Sequence, residues 1–79
     1  MPRFPVDAPR ARVIRTFESL GFHLVRQREY IAMARENPDG TRTLLTMPNN
    51  PNLKSSTLRT ICTQGGIARD DFMRAFERA

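Results

Sequence analysis

Residues 24–40 read LVRQREYIAMARENPDG, a pattern typical of two strands joined by a short reversal. Polar and apolar side chains alternate through residues 22–28 and again through residues 30–35, as in half-buried strands. The alternation places Leu24 and Arg26 on the same face of the first strand. The sequence therefore predicts an antiparallel hairpin.

The hairpin is followed by a turn and a third strand. Residues 37–40 read Asn-Pro-Asp-Gly, in which Pro38 presets φ and Gly40 accepts a positive φ. Residues 42–47 are rich in Thr and Leu, and Pro48 ends this segment because it cannot donate to a strand ladder. We expect a three-stranded antiparallel meander.

Helical patterns lie on both sides of the meander. Asp7 is expected to cap a first helix, which Gly21 ends, and Ser55 or Ser56 to cap a second, which residues 65–66 end. The apolar residues of the first helix have helical spacing: Val13, Ile14, Phe17 and Leu20. With a last helix after Ile67, the order α-β-β-β-α-α predicts an α+β fold with helices on one sheet face and the other face open.

The length and charge of the chain limit its domain organisation and its partners. Its 79 residues suit one domain, 1–79, with an irregular leader at residues 1–6. The net charge is +5, and every cation except Lys54 is Arg, which favours a nucleic-acid partner because its planar guanidinium matches phosphate. A GC-rich genome explains the same Arg bias equally well.

Several classes of site and location are excluded or disfavoured. A single cysteine, Cys62, allows no internal disulfide, and one Cys with one His makes a zinc site of such ligands untenable, so we expect no metal or other cofactor. No apolar run reaches the ~20 residues of a membrane span, and no signal peptide is recognisable. These features predict a cytoplasmic protein without a membrane partner, in which Cys62 is a core thiol and His23 a structural residue.

The cations are dense on the predicted strands and at the start of the second helix. Lys54 precedes Ser55, Ser56 and Thr57 at a helix start, where amides, hydroxyls and an ammonium together suit phosphate. The alternative is an ordinary solvated surface with a helix cap. The candidate nucleic-acid contacts are Arg26, Arg28, Arg35, Arg42, Lys54 and Arg59.

The ordered set of motifs resembles the HicA-type toxins of bacterial toxin–antitoxin systems. The match runs from Ala8 to the end of the chain, and its most specific part is the segment Lys-x-x-Thr-Leu-Arg-x-Ile at residues 54–61. The other matching pieces are Gly21-Phe22, Val25-Arg26, Asn37-Pro38-Asp39-Gly40, Met47-Pro48-Asn49 and the run Gln64 to Phe72.

This resemblance implies a fold like that of double-stranded-RNA-binding domains, α-β-β-β-α, here with an extra C-terminal helix. It also implies a metal-independent endoribonuclease, an mRNA interferase that binds and cleaves mRNA to arrest translation until a HicB-like antitoxin neutralises it. Its RNA contacts would be Arg26, Arg28, Tyr30, Lys54 and Arg59.

The sequence departs from the family at the catalytic position, where the family has His and this chain has Tyr30. A phenol in water loses its proton only near pH ~10, so a tyrosine can donate a proton or stack on a base but is a poor base. Three interpretations follow: an active toxin using Tyr30 or His23, a member that does not cleave, or a substitution made to permit expression. The alternative function is a non-catalytic RNA- or antitoxin-binding module.

Overall fold

The computed structural model of the chain describes residues 3–79 and has an α+β fold. Its three helices and its central three-stranded antiparallel sheet, order β2-β3-β4, were predicted. The elements are β1 (Asp7–Pro9), α1 (Arg10–Ser19), β2 (His23–Gln27), β3 (Tyr30–Glu36), β4 (Arg42–Pro48), β5 (Asn52–Lys54), α2 (Ser55–Gly65) and α3 (Arg69–Arg78).

The central strand β3 pairs with β4 along its whole length, from Tyr30 opposite Pro48 to Glu36 opposite Arg42. The turn between them forms as predicted: the Gly40 N–H donates to the Asn37 carbonyl at 3.0 Å, and Gly40 has φ +87°. A residue with a Cβ would be strained there.

The pairing of β2 with β3 corrects the predicted alternation. Leu24 pairs with Met33 and Arg26 with Ala32, so Val25 is an extra residue in a β-bulge. Consecutive residues of β3 point to opposite faces, so Leu24 and Arg26 also face opposite sides of the sheet. The prediction that they share a face was wrong, because a bulge breaks the period of two.

The core lies between one face of the sheet and the helices. Ile31 and Met33 of β3 have no exposed surface, and the same cluster contains Phe17 of α1 and Phe72 of α3, whose ring centroids are 5.4 Å apart. Each buried side chain of this size contributes about 1.5–3 kcal/mol. On the other face Tyr30 is 63% and Leu44 59% exposed, although Ala34 is buried, so no helix covers these two side chains, in agreement with the predicted open face.

A second, two-stranded sheet was not predicted. β1 pairs antiparallel with β5, and Ala8 lies opposite Leu53, both buried. Asp7 therefore belongs to a strand, and its prediction as a helix cap was wrong: the residue before α1 is Pro9, which makes no side-chain cap. Likewise α2 begins at Ser55 without a side-chain cap.

The expected irregular leader falls partly outside the described residues, which begin at Arg3. Residues 3–6 form neither helix nor strand. Phe4 packs against Phe72 with ring centroids 5.6 Å apart, so this segment adds an aromatic ring to the edge of the core.

Candidate nucleic-acid interface

The turn between β2 and β3 carries a cationic depression, which we call the turn depression. It is lined by Arg26, Arg28, Glu29 and Tyr30 and has a volume of about 290 Å³. Arg26 pairs with Ala32, which lies two residues from Tyr30 on β3, so both side chains are on the open face. The bulge places Arg26 there together with Tyr30.

Asn49, in the loop after β4, fixes the conformation of this turn. Its side-chain Nδ2 donates to the Arg28 carbonyl at 2.6 Å, and its backbone N–H donates to the Glu29 carbonyl at 3.2 Å. Arg10 at the start of α1 donates through its guanidinium to Asn49 Oδ1 at 2.9 Å. Asn49 was predicted only as part of the motif Met47-Pro48-Asn49, because sequence spacing does not indicate that its side chain reaches the Arg28 carbonyl.

A second concavity lies on the other side of Tyr30, and we call it the β4–α2 groove. Its volume is about 270 Å³. The Oε1 atom of Gln64 on α2 accepts the backbone N–H of Thr46 at 3.1 Å, which joins the helix to the outer edge of β4. The groove is lined by Tyr30, Thr46, Met47, Pro48, Thr57, Thr60, Ile61 and Gln64.

The other predicted RNA contacts lie apart from Tyr30. Arg59 lines a different depression, shared with Arg3 and Arg69. Residues two apart are about 200° apart around a helix, so Arg59 lies on the opposite side of α2 from Thr57 in the groove. Lys54 is exposed at the residue before α2 and lines neither concavity.

Two further cations of the predicted set are engaged elsewhere. Arg35 lies over the Phe22 ring, with its guanidinium carbon 4.8 Å from the centroid, so it packs on the helical side. Arg42 pairs with Glu36 at 3.2 Å. In contrast, neither Arg26 nor Arg28 has a carboxylate partner within residues 3–79.

His23 is exposed and lies opposite Ala34 in the sheet. Ala34 is four residues from Tyr30 along β3, so His23 and Tyr30 are separated by about 13 Å at ~3.3 Å per residue. The two side chains cannot act on the same proton, because proton transfer requires the two groups to lie within hydrogen-bonding distance of it.

The remaining candidate chemistry is structural. Cys62 is buried, and burial raises the pKa of its thiol to about 12, which keeps it protonated and unreactive at neutral pH, as predicted for a core thiol. Within the described residues, no three His, Cys, Asp or Glu side chains are grouped so as to hold a metal ion. In that same part of the chain no helix has the length and apolar character of a bilayer span.

Comparison of the chain with protein-family models, with curated proteins and with solved structures found no match.

Proposed function

We propose that the chain is a HicA-like toxin that binds mRNA and is neutralised by a HicB-like antitoxin. The main supporting observation is that Arg26, Arg28 and Tyr30 line one depression together with Glu29. Neither arginine forms an ion pair with a carboxylate of residues 3–79, so both guanidinium groups are available to phosphate. The order α1-β2-β3-β4-α2, with α3 as an extra helix, is consistent with a fold like that of double-stranded-RNA-binding domains.

The chemistry of this depression suits RNA. A guanidinium can bind two phosphate oxygens at once, and an exposed tyrosine ring can stack on an unpaired base. Lys54 and Arg59 add positive charge at α2, where they would contact more distant phosphates. Because translation takes place in the cytoplasm, the proposed action is cytoplasmic.

RNA binding is tested with a labelled single-stranded RNA at low salt, by fluorescence anisotropy. Arg28→Ala should weaken binding on the order of fivefold, equivalent to about 1 kcal/mol. Arg15→Ala is the matched control, because Arg15 is an exposed arginine of the helical layer and its removal changes the net charge equally. Equal losses for the two variants would contradict a specific role for the turn depression.

We further propose that any cleavage proceeds without a metal, through the 2′-hydroxyl of the substrate. The 2′-oxygen forms a bond to phosphorus and gives its proton to water, while the bond from phosphorus to the 5′-oxygen breaks. The Tyr30 hydroxyl donates a proton to the departing 5′-oxygen, and Arg28 binds the phosphate oxygens. The products are a 2′,3′-cyclic phosphate and a 5′-hydroxyl.

Incubating the protein with mRNA in the presence of EDTA tests this reaction. Cleavage should occur, and Tyr30→Phe should abolish it while RNA binding persists. If the native chain leaves mRNA intact and Tyr30→His cuts it, Tyr30 does not support cleavage.

The second candidate is a non-catalytic module that binds RNA or only the antitoxin. It is favoured by the distance of about 13 Å between Tyr30 and the single imidazole, His23. At that distance no histidine lies beside Tyr30 to act as a base. This function predicts salt-dependent RNA binding without cleavage products. Binding of the antitoxin alone predicts no RNA binding even at low salt, and native expression that does not arrest bacterial growth.

A further inference from the structure

The β4–α2 groove differs chemically from the turn depression beside it. Its polar lining is neutral and comes from Thr46, Thr57, Thr60 and Gln64, and no charged side chain lines it. Met47 and Ile61, which also line it, are each 1% exposed and give it an apolar floor. Such a surface suits a flat neutral ring better than a phosphate.

Gln64, which lines this groove, has hydrogen-bond donors that residues 3–79 do not use. Its Oε1 accepts the Thr46 backbone N–H at 3.1 Å, and a backbone N–H can only donate, so this contact fixes which end of the amide is oxygen. The NH₂ group finds no acceptor among residues 3–79. Two donors with a fixed position are therefore available to a ligand.

Thr60 supplies an acceptor. Its hydroxyl donates to the Ser56 carbonyl at 3.2 Å, so the proton is engaged and the oxygen lone pairs remain. The groove thus offers donors on Gln64 and an acceptor one helical turn earlier, on the same side of α2. A nucleobase edge carries the complementary acceptor and donor side by side.

The size of the groove limits what it can hold. Its volume of about 270 Å³ lies just below the ~300–1,000 Å³ of pockets that enclose drug-sized ligands. One wall is Tyr30, whose ring is 63% exposed. There is room for one flat ring beside this aromatic side chain.

From these observations we propose that the β4–α2 groove binds one unpaired nucleobase, stacked on Tyr30 and hydrogen-bonded by Gln64 and Thr60. The inference rests on the proposed RNA binding and adds single-strand selectivity to it. Bases within a duplex use their Watson–Crick edges for pairing and their faces for stacking, so a duplex cannot fill the groove. Phosphate contacts at Arg26 and Arg28 do not discriminate in this way.

The chain provides its own reporter, because Tyr30 is its one tyrosine and it has no tryptophan. The probes are a short oligouridylate, the same strand annealed to oligoadenylate, and an abasic ribose-phosphate strand of equal length. Binding is followed by anisotropy and stacking by quenching of Tyr30 fluorescence. The oligouridylate should bind and quench, whereas the duplex and the abasic strand should bind more weakly without quenching.

Two threonines give a matched pair of variants. Thr60→Val removes the acceptor, and Thr63→Val removes an equivalent hydroxyl, which donates to the Arg59 carbonyl at 2.9 Å but does not line the groove. Thr60→Val should weaken oligouridylate binding about two- to tenfold, the range for one hydrogen bond, and Thr63→Val should not. Neither should change binding of the abasic strand.

Gln64→Glu tests the donors, because it keeps an oxygen for the Thr46 N–H and loses both amide hydrogens. Its added charge weakens all RNA binding, so the loss for oligouridylate must exceed the loss for the abasic strand. If all three probes bind equally without quenching, the base site is wrong and RNA binding stands. If no probe binds at low salt, the proposed function is wrong and the base site with it.

Discussion

Asn49 connects three parts of the chain that are distant in sequence. Its side chain donates to the carbonyl of Arg28 and accepts from Arg10, while its backbone N–H donates to the carbonyl of Glu29. The turn before Tyr30 is thereby held by a residue of the loop after β4. The contact therefore holds the backbone from which the Arg28 side chain extends.

Replacing Asn49 with alanine should therefore destabilise the protein and weaken RNA binding. We expect a loss of about 1–3 kcal/mol in the free energy of unfolding, because two hydrogen bonds are lost and one involves a charged group. Urea denaturation measures this loss. Asn50→Ala is the control, since Asn50 is exposed and makes no side-chain hydrogen bond within residues 3–79. Equal stabilities for the two variants would contradict the role given to Asn49.

The thiol of Cys62 should be protected in the folded protein. Burial raises its pKa from 9.0 to about 12, so at about pH 8 the reactive thiolate is scarce. Alkylation by iodoacetamide should be slow and should accelerate with urea in step with unfolding. A native rate equal to that of a free cysteine derivative would show that the thiol is exposed.

The same pKa shift makes the free energy of unfolding depend on pH. A group whose folded-state pKa is raised favours the folded state fully below its unfolded pKa, and this contribution is lost as pH rises toward the folded value. For Cys62 the contribution should decline from pH 9.0 toward about 12. Comparing the free energy of unfolding of the native protein with that of Cys62→Ala over this pH range isolates the contribution of Cys62.

Among the elements, β2 has the most informative irregularity. On either side of Val25 the pairing is with consecutive residues of β3, Met33 and Ala32. Removing Val25 therefore leaves both pairs in place and makes the ladder regular. Each paired residue of β2 faces the same side as its partner on β3, with or without Val25.

Deletion of Val25 should accordingly preserve the fold. We expect a change within about 1 kcal/mol in the free energy of unfolding, small for a deletion inside a strand. Deletion of Ala32 is the control, because it shifts one half of β3 by a residue and moves core side chains to the open face. Denaturant titrations measure the free energy of unfolding of both variants. Equal losses for the two deletions would show that Val25 is not an extra residue in the ladder.

The elements that sequence predicted are those with a repeated pattern or a turn signal. Alternation located β2 and β3, composition and Pro48 located β4, helical spacing located α1, and the glycines at residues 65–66 marked the end of α2. The strand β1 has only three residues, two flanking a single buried Ala8, so no period could reveal its pairing with β5. The bulge was missed because one inserted residue has no compositional signal.

The candidate site was predictable only where its residues are neighbours in the chain. Arg26, Arg28 and Tyr30 lie within five positions, so a hairpin brings them together. Gln64 meets Thr46 only because α2 packs along the edge of β4, and sequence spacing does not encode that packing. Glu29, beside Tyr30 in the turn depression, was not predicted as a site residue, because a lone carboxylate among arginines does not indicate a phosphate contact.

For the whole molecule, charge should govern the strength of the proposed RNA binding. The net charge is +5, and the phosphate contacts expected from the proposed function are Arg26, Arg28, Lys54 and Arg59. For single strands each contact adds about −0.7 to the slope of log affinity against log salt. Four contacts predict a slope of about −3.

Affinity measured over a series of salt concentrations tests this slope. Arg28→Ala should reduce its magnitude by about 0.7, the value for one contact, whereas Arg15→Ala should leave it unchanged. A slope near zero in the native protein would exclude phosphate contacts as the source of affinity.

The two outer strands of the sheet also bear on how the protein behaves at high concentration. Along β4 the Thr46 N–H is already taken by Gln64, and β2 is bent by its bulge at Val25. Straight strands with free backbone groups are the templates on which sheets from different molecules join and grow into fibrils. With one N–H of the β4 edge occupied and β2 bent, this sheet should resist such growth although Tyr30 and Leu44 leave part of one face exposed.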